Sequence, residues 1–193
     1  LDGLLVAQGA AEDIDSARRM IGAGCVLVNE IVCDKVGTLV AESARISVKV
    51  RKKYVSRGGA KLESALKGLP LNPCNWVCAD IGSSTGGFTD CLLQHGARKV
   101  FCIDVGYGLL DWKLRTDERV VVLERTNARY LSREHIPEPI DLAVIDASFI
   151  SLDLLLRPVR RLFAGAVSII ALVKPQFELP RDKVPRGGVV REE

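Results

Sequence analysis

Histidine, methionine and aromatic side chains are scarce in this 193-residue chain, which holds two histidines, one methionine (Met20) and 5% Phe, Trp and Tyr. The six cysteines (Cys25, Cys33, Cys74, Cys78, Cys91 and Cys102) form no CxxC pair. With so few histidines, no zinc-ligand spacing arises and a structural metal drops out of the reading. Most of these cysteines sit in apolar runs such as Val77-Cys78-Ala79 and Phe101-Cys102-Ile103, as small buried hydrophobes in a reducing cytoplasm would. Long apolar runs are missing too. The longest near-apolar stretch, Leu162 to Val173, falls short of the roughly 18–20 residues that a bilayer span needs. No basic-then-apolar leader opens the chain, so the sequence offers no sign of secretion.

What is present is ordinary globular material. Hydrophobic residues make up 48% and charged residues 26%, enough apolar mass to exclude disorder, and the length fits one or two domains. The chain opens at Leu1 rather than methionine and closes on Arg191-Glu192-Glu193, so part of the machinery is expected to lie outside it.

Charge is balanced overall but not locally. Lys+Arg 27 against Asp+Glu 24 gives a net charge of +3. Residues 1–62 hold ten basic and seven acidic side chains, and the remaining 131 hold seventeen of each. Between Ser43 and Leu62 lie seven basic residues and no acid. Such a band reads either as a surface for a polyanion or as a solvated face.

Hydrophobic spacing divides the chain in two. In the first 50 residues, Leu4, Leu5 and Val6 precede a turn-prone stretch. Ile14, Ala17, Met20 and Ile21 then mark one face of a helix, with Asp13 as N-cap and Gly22-Ala23-Gly24 as its end. Short strands follow at 25–28, 31–33 and 46–50, with a turn at Asn29-Glu30. Residues 51–58 read as a basic linker, and a helix is expected over about 60–66. From Trp76 onward, apolar runs of strand length (77–81, 100–105, 120–123, 142–145 and 167–173) alternate with helix-compatible stretches. That alternation predicts an α/β fold with a doubly wound parallel sheet.

The strongest local signal is Asp80-Ile81-Gly82-Ser83-Ser84-Thr85-Gly86-Gly87-Phe88-Thr89-Asp90, between an expected strand and an expected helix. Glycine lets such a turn close sharply and lets a ligand approach the main chain. A phosphate-binding P-loop needs a lysine that is missing here, and a dinucleotide fingerprint needs GxGxxG where this turn is GxxxGG. An acid–x–Gly–xxx–Gly turn of the kind that binds S-adenosylmethionine fits without adjustment. Asp104 closes the next strand, 24 positions after Asp80, where an acid accepts hydrogen bonds from ribose hydroxyls. The alternative is that Asp104 only caps the turn before Gly106.

Two later strand ends carry Asp146-Ala147-Ser148-Phe149 and Lys174-Pro175-Gln176-Phe177. In an open α/β sheet the ligand crevice lies outside these carboxyl ends, so Asp146 and Lys174 both aim at the reactive end of a bound cofactor. Base-amine methylation commonly uses Asn/Asp-Pro-Pro-Tyr at the first position, and Asp146-Ala147-Ser148-Phe149 replaces it. Methylation at a pyrimidine carbon needs a cysteine, and none follows Cys102. A ribose hydroxyl remains as acceptor, served by a positioned base or by a cation that stabilises developing alkoxide. A strand-end ion pair between Asp146 and Lys174 is the purely structural alternative.

Together these residues resemble the TlyA (hemolysin-like) family of ribosomal RNA 2′-O-methyltransferases. The resemblance runs along the whole chain: 1–29, Val55 to Gly59, Asp80 to Gly87, Asp146 to Leu152 and Val173 to Glu178. It implies a small α+β S4-like RNA-binding domain over 1–50, the linker over 51–58, and a Rossmann-like, FtsJ-like class I methyltransferase domain over 59–193 that is C-terminally incomplete. It places a catalytic lysine–aspartate–lysine set on Lys61, Asp146 and Lys174, with Lys174 as base and a closing glutamate beyond Glu193. It implies S-adenosylmethionine bound by Asp80, Gly82, Ser83, Ser84, Thr85, Gly86, Gly87, Asp104 and Asn127. Ribosomal RNA or ribosomal subunits are the implied partners, held at phosphates by Arg18, Arg19, Arg51, Lys52, Lys53 and Arg57, with cytidine as target. The few aromatics limit base stacking, with Phe149 one candidate, so recognition of folded RNA by shape suits the composition better. Two other readings stay open: a cytolysin, which lacks a long amphipathic β pattern here, and a cofactor-binding RNA-binding protein without catalysis.

Overall fold

The computed structural model describes residues 1–49, 53–185, 187–188 and 190. Its contacts divide the chain into two compact units, Leu1–Lys52 and Lys53–Glu193.

The first unit contains α1 (Asp2–Ala7), α2 (Ile14–Gly22) and a three-stranded antiparallel sheet of β1 (Val26–Val28), β2 (Ile31–Cys33) and β3 (Ile46–Val48) in the order β2-β1-β3. Asp13 caps α2 as its position predicts, with its carboxylate accepting from the Ser16 N–H at 2.6 Å. Asn29 and Glu30 both take positive φ (50° and 69°), which a two-residue turn between right-twisted strands requires. Leu1, Leu5, Ala17, Ile21 and Val26 form the core, a small one for an independent domain.

The second unit holds α3 (Arg57–Gly68), β4 (Val77–Ile81), α4 (Gly87–Gln94), β5 (Lys99–Ile103), α5 (Trp112–Arg115), β6 (Val120–Leu123), β7 (Leu142–Ile145), α6 (Asp153–Arg160), β8 (Ile169–Ala171) and α7 (Pro175–Glu178). Its five strands are all parallel, in the order β6-β5-β4-β7-β8. The chain winds outward from β4 in both directions, so the crevice at the carboxyl ends of β4 and β7 is a topological switch point. Both sheet faces are covered, one by Leu62, Phe88, Leu92 and Leu114, the other by Ile136, Leu155, Val159 and Leu162. This explains why the central strands read as unbroken apolar runs rather than alternating ones.

Several elements differ from the sequence reading, including strands at Lys99–Ile103 rather than 100–105 and Ile46–Val48 rather than 46–50. The helix expected over 60–66 starts at Arg57, capped by Ser56, because the weak helix former glycine at 58 and 59 hides its first turn. The stretch read as linker is, over 53–58, part of the second unit: Tyr54 is buried against its core. The last strand shortens from 167–173 to Ile169–Ala171. Among the cysteines, Cys78, Cys91 and Cys102 are buried, Cys25 and Cys33 half-buried, and Cys74 exposed.

Candidate active site

The turn after β4 is built on its glycines. Gly82 and Gly86 lie at φ +80° and +90°, where a Cβ is strained. A Cβ on Gly82 would also stand 3.0 Å from the Asp146 carbonyl oxygen, and one on Gly86 2.3 Å from Leu114 Cδ1. The turn is tied to β5 by the Gly82 and Ser83 N–H groups, which donate to the Ile103 carbonyl at 2.8 and 3.2 Å. Asp104, just past β5, accepts from the Ser84 N–H at 2.8 Å and from the Gly106 N–H at 2.7 Å. The turn-capping alternative for Asp104 is therefore realised, and the same carboxylate locks the glycine turn.

Asp80, four residues into β4, is buried at 1% exposure. Its Oδ2 accepts from the Thr89 N–H at 3.0 Å and from the Thr89 hydroxyl at 2.7 Å. Among the described residues its Oδ1 has no partner. Burial pushes its carboxyl up to about 7, helped by the charges of Asp146 and Asp104 and opposed by the two Thr89 hydrogen bonds. A buried carboxylate with one oxygen unsatisfied is costly by itself and matches a site built to receive a cation.

Two recesses meet at the strand ends. The first, of about 360 Å³, has apolar walls from Ile103, Val105, Ala128 and Leu155 with Asp104 and Asn127 among them. It suits a flat apolar ring carrying hydroxyls. Asn127 accepts from the Arg129 N–H at 3.1 Å, starting a single helical turn at Ala128–Tyr130. The second, of about 590 Å³, is lined by Arg57, Lys61, Asp80, Asp146 and Lys174. Gly82, Ser84, Asp146 and Ser148 line both.

Lys61, Asp146 and Lys174 come together from three elements. A Cβ on Gly59 would lie 2.2 Å from Tyr54 Cγ, and one on Gly87 2.1 Å from the Ser56 hydroxyl. These glycines let the first turns of α3 and α4 touch by backbone. Lys61, one turn into α3, thereby reaches Asp146 Oδ2 at 3.7 Å. Lys174, at the N-cap of α7, lies 2.7 Å from Asp146 Oδ1 and donates to the Ser148 hydroxyl at 2.8 Å and the Asp146 carbonyl at 3.4 Å. One carboxylate bridges two ammonium groups. The strand-end ion pair exists, but a third charged group joins it at the junction of two recesses. The set can hold a hydroxyl, take its proton and stabilise the resulting oxyanion.

The loops after β7 and β8 are also laced together. Phe149 and Phe177 pack with ring centroids 5.1 Å apart, and Glu178 accepts from the Ser151 hydroxyl at 2.7 Å and the Leu152 N–H at 3.0 Å. Phe149 takes φ +65° and is 91% exposed. Thr89, Ser148 and Glu178 escaped the sequence reading. Thr89 lies in the quoted motif, but no spacing rule announces a hydroxyl that orients an acid nine residues back.

The basic residues fare unevenly. Arg18 pairs with Asp2 at 3.1 Å, and Lys53 with Glu63 at 2.6 Å, one residue past the acid-free band. These two are thus partly neutralised within their own units. Arg19 is exposed on α2, and exposed Arg57, in the first turn of α3, lines the charged recess. Arg51 and Lys52 lie outside the described residues.

Known proteins are similar to this chain along its whole length. The candidate rRNA methyltransferase YqxC of Bacillus subtilis is 50% identical over all of this chain and 69% of its own length. The 16S/23S rRNA (cytidine-2′-O)-methyltransferase TlyA of Mycobacterium tuberculosis is 43% identical over all of this chain and 72% of its own length. A solved structure of a candidate hemolysin from Streptococcus thermophilus superposes with a TM-score of 0.70 at 42% identity, covering 99% of this chain and 70% of that one. The model of the FtsJ-like methyltransferases matches residues 54–193. The chain belongs to the FtsJ-like methyltransferase family.

Proposed function

We propose that this chain transfers a methyl group from S-adenosylmethionine to a ribose 2′-hydroxyl of cytidine in ribosomal RNA, as a cytoplasmic enzyme. The observation that carries the reading is Asp146 bridging Lys61 and Lys174 where the two recesses join. The relatives named as rRNA (cytidine-2′-O)-methyltransferases support the substrate. The N-terminal unit, read as S4-like, would hold RNA phosphates through Arg19 and its neighbours, giving affinity and orientation without base identity.

The residues present fit the cofactor. The apolar recess would take the adenosine, with Asp104 and Asn127 at its polar groups. The unpartnered Asp80 Oδ1 provides an acceptor for the cationic methionine end. Bound S-adenosylmethionine supplies an electrophilic methyl group on a sulfonium. Lys174, as the neutral amine, takes the proton of the ribose hydroxyl at Nζ. Asp146 fixes that amine and keeps Lys61 beside it, and the Lys61 ammonium stabilises the negative charge growing on the sugar oxygen.

The test is incorporation of labelled methyl from S-adenosylmethionine into ribosomal subunits, with the product mapped by resistance to alkaline cleavage. Lys174→Ala is expected to abolish labelling by 100-fold or more, on the order of a lost general base, with cofactor affinity intact. Labelling by that variant at the wild-type rate removes Lys174 from the reaction. A membrane-lytic role finds no helix long and apolar enough to cross a membrane among the described residues, and the charged crevice gives it no task.

A further inference from the structure

Among the described residues, Ser148 is the one hydroxyl on the Lys174 ammonium. Its Oγ stands 2.8 Å from Lys174 Nζ, while the other two partners of that nitrogen, the carboxylate and carbonyl of Asp146, come from a single residue. Ser148 is exposed and lines both recesses, at the junction where an acceptor oxygen must meet the methyl donor. From these contacts we infer that Ser148 is a positioning residue for the base, orienting the lone pair of Lys174 toward the sugar hydroxyl. This rests on the proposed ribose methylation with Lys174 as base.

A neutral amine has two N–H bonds and one lone pair. For the lone pair to face the substrate, both N–H bonds need acceptors on the protein side. The Asp146 carboxylate provides one at 2.7 Å, and the Ser148 hydroxyl oxygen the second at 2.8 Å. Without the hydroxyl, the second N–H is left with only the longer contact to the Asp146 carbonyl at 3.4 Å, so the amine turns about its last carbon–nitrogen bond and the lone pair swings away from the sugar hydroxyl. Among the described residues, the other charged groups at this recess are Asp146 just past β7, Lys61 and Arg57 from α3, and Asp80 from β4. None of them changes when Ser148 is truncated. The loop backbone is held independently by Glu178 on Ser151 and Leu152, and by the Phe149–Phe177 pair.

The experiment compares Ser148→Ala and Ser148→Thr with the wild-type chain in methyl transfer from S-adenosylmethionine to ribosomal subunits, as kcat and KM. Calorimetry of cofactor binding and thermal unfolding serve as controls for folding. For Ser148→Ala, kcat is expected to fall roughly tenfold or more, as a misaimed base does. KM values and cofactor affinity should stay within about twofold, and Ser148→Thr, which keeps the hydroxyl, should recover most of kcat. An alanine variant with wild-type kcat overturns the inference. So does a threonine variant as slow as the alanine one with folding intact, since bulk rather than the hydroxyl would then matter. Failure of the wild-type chain to label the ribose is a different result, because it refutes the proposed function before Ser148 enters.

Discussion

Replacing Asp80 by asparagine separates what this acid does for the site from what it does to the fold. The wild-type carboxyl has its titration raised from 3.8 to about 7, chiefly by burial. The folded state therefore binds a proton more tightly than the unfolded chain does. That contribution to folding is fully present below pH 4 and disappears as pH climbs through about 7. The full rise corresponds to about 4 kcal/mol between the two limits. Asparagine is nearly isosteric, and its carbonyl oxygen can keep both donations from Thr89, the N–H at 3.0 Å and the hydroxyl at 2.7 Å. It carries no charge at any pH. Urea unfolding at pH 5, 6, 7 and 8 should thus find Asp80→Asn progressively more stable than wild type as pH rises, by up to about 4 kcal/mol. A cationic cofactor needs the ionised acid, so the same variant should bind S-adenosylmethionine poorly throughout. Wild-type affinity should strengthen about tenfold per pH unit between roughly pH 5.5 and 7, a linkage the variant lacks. Stability curves that run parallel from pH 5 to pH 8 would refute the reasoning, because the buried acid would then not titrate on folding.

Asp104→Asn leaves one acceptor for the Ser84 and Gly106 N–H groups, and calorimetry should show cofactor affinity reduced about 10- to 100-fold, as for losing a charged hydrogen bond. Arg19→Ala and Arg57→Ala should each weaken binding to ribosomal RNA, and each should reduce the slope of log K against log salt by about 1 in filter binding. Gly86→Ala should destabilise the fold by roughly 2–4 kcal/mol in urea unfolding, from its positive φ and its clash with Leu114 and Leu110. Gly82→Ala, whose Cβ meets Asp146 and Ala147 backbone instead, should reduce methyl transfer by a larger factor than it reduces cofactor affinity, read by labelling and calorimetry side by side.

The parts of the fold that were legible are those whose cause is local. The strands at 77–81, 120–123 and 142–145 coincide with the apolar runs because both sheet faces are covered, so burial alone writes them into the sequence. Asp13 as N-cap and the Asn29-Glu30 turn are equally local. The start of α3 was not, because Gly58 and Gly59 are there for contact with Tyr54 and α4, a tertiary requirement that opposes helix propensity. Charge pairing was hidden for the same reason. Lys53 reads as one more member of a basic band until Glu63, ten residues on, turns back to meet it. In the candidate site, Asp80, Asp104, Asp146 and Lys174 could be named because each closes or enters a strand end. Thr89, Ser148 and Glu178 could not, because each acts through a neighbour whose place only the folded chain defines.

The two halves of the site are coupled through sheet register rather than through any one side chain. Ile81 pairs with Ile145 in the parallel ladder, so the next residues, Gly82 and Asp146, emerge side by side at the switch point. The glycine turn and the acid that holds both lysines are therefore adjacent by construction. The Asp146 N–H donates to the Ile81 carbonyl at 3.0 Å, and the Asp146 carbonyl stands 3.0 Å from where a Cβ on Gly82 would be. Glycine at 82 thus serves two ends, the positive φ of the turn and the seat of Asp146. A side chain there would push the bridging carboxylate out of line with Lys174 at 2.7 Å and Lys61 at 3.7 Å. Because a packed sheet resists small sliding between its strands, the separation between the glycine turn and the Asp146 carboxylate is set by the backbone, leaving side chains such as Ser148 only the orientation of Lys174 to adjust.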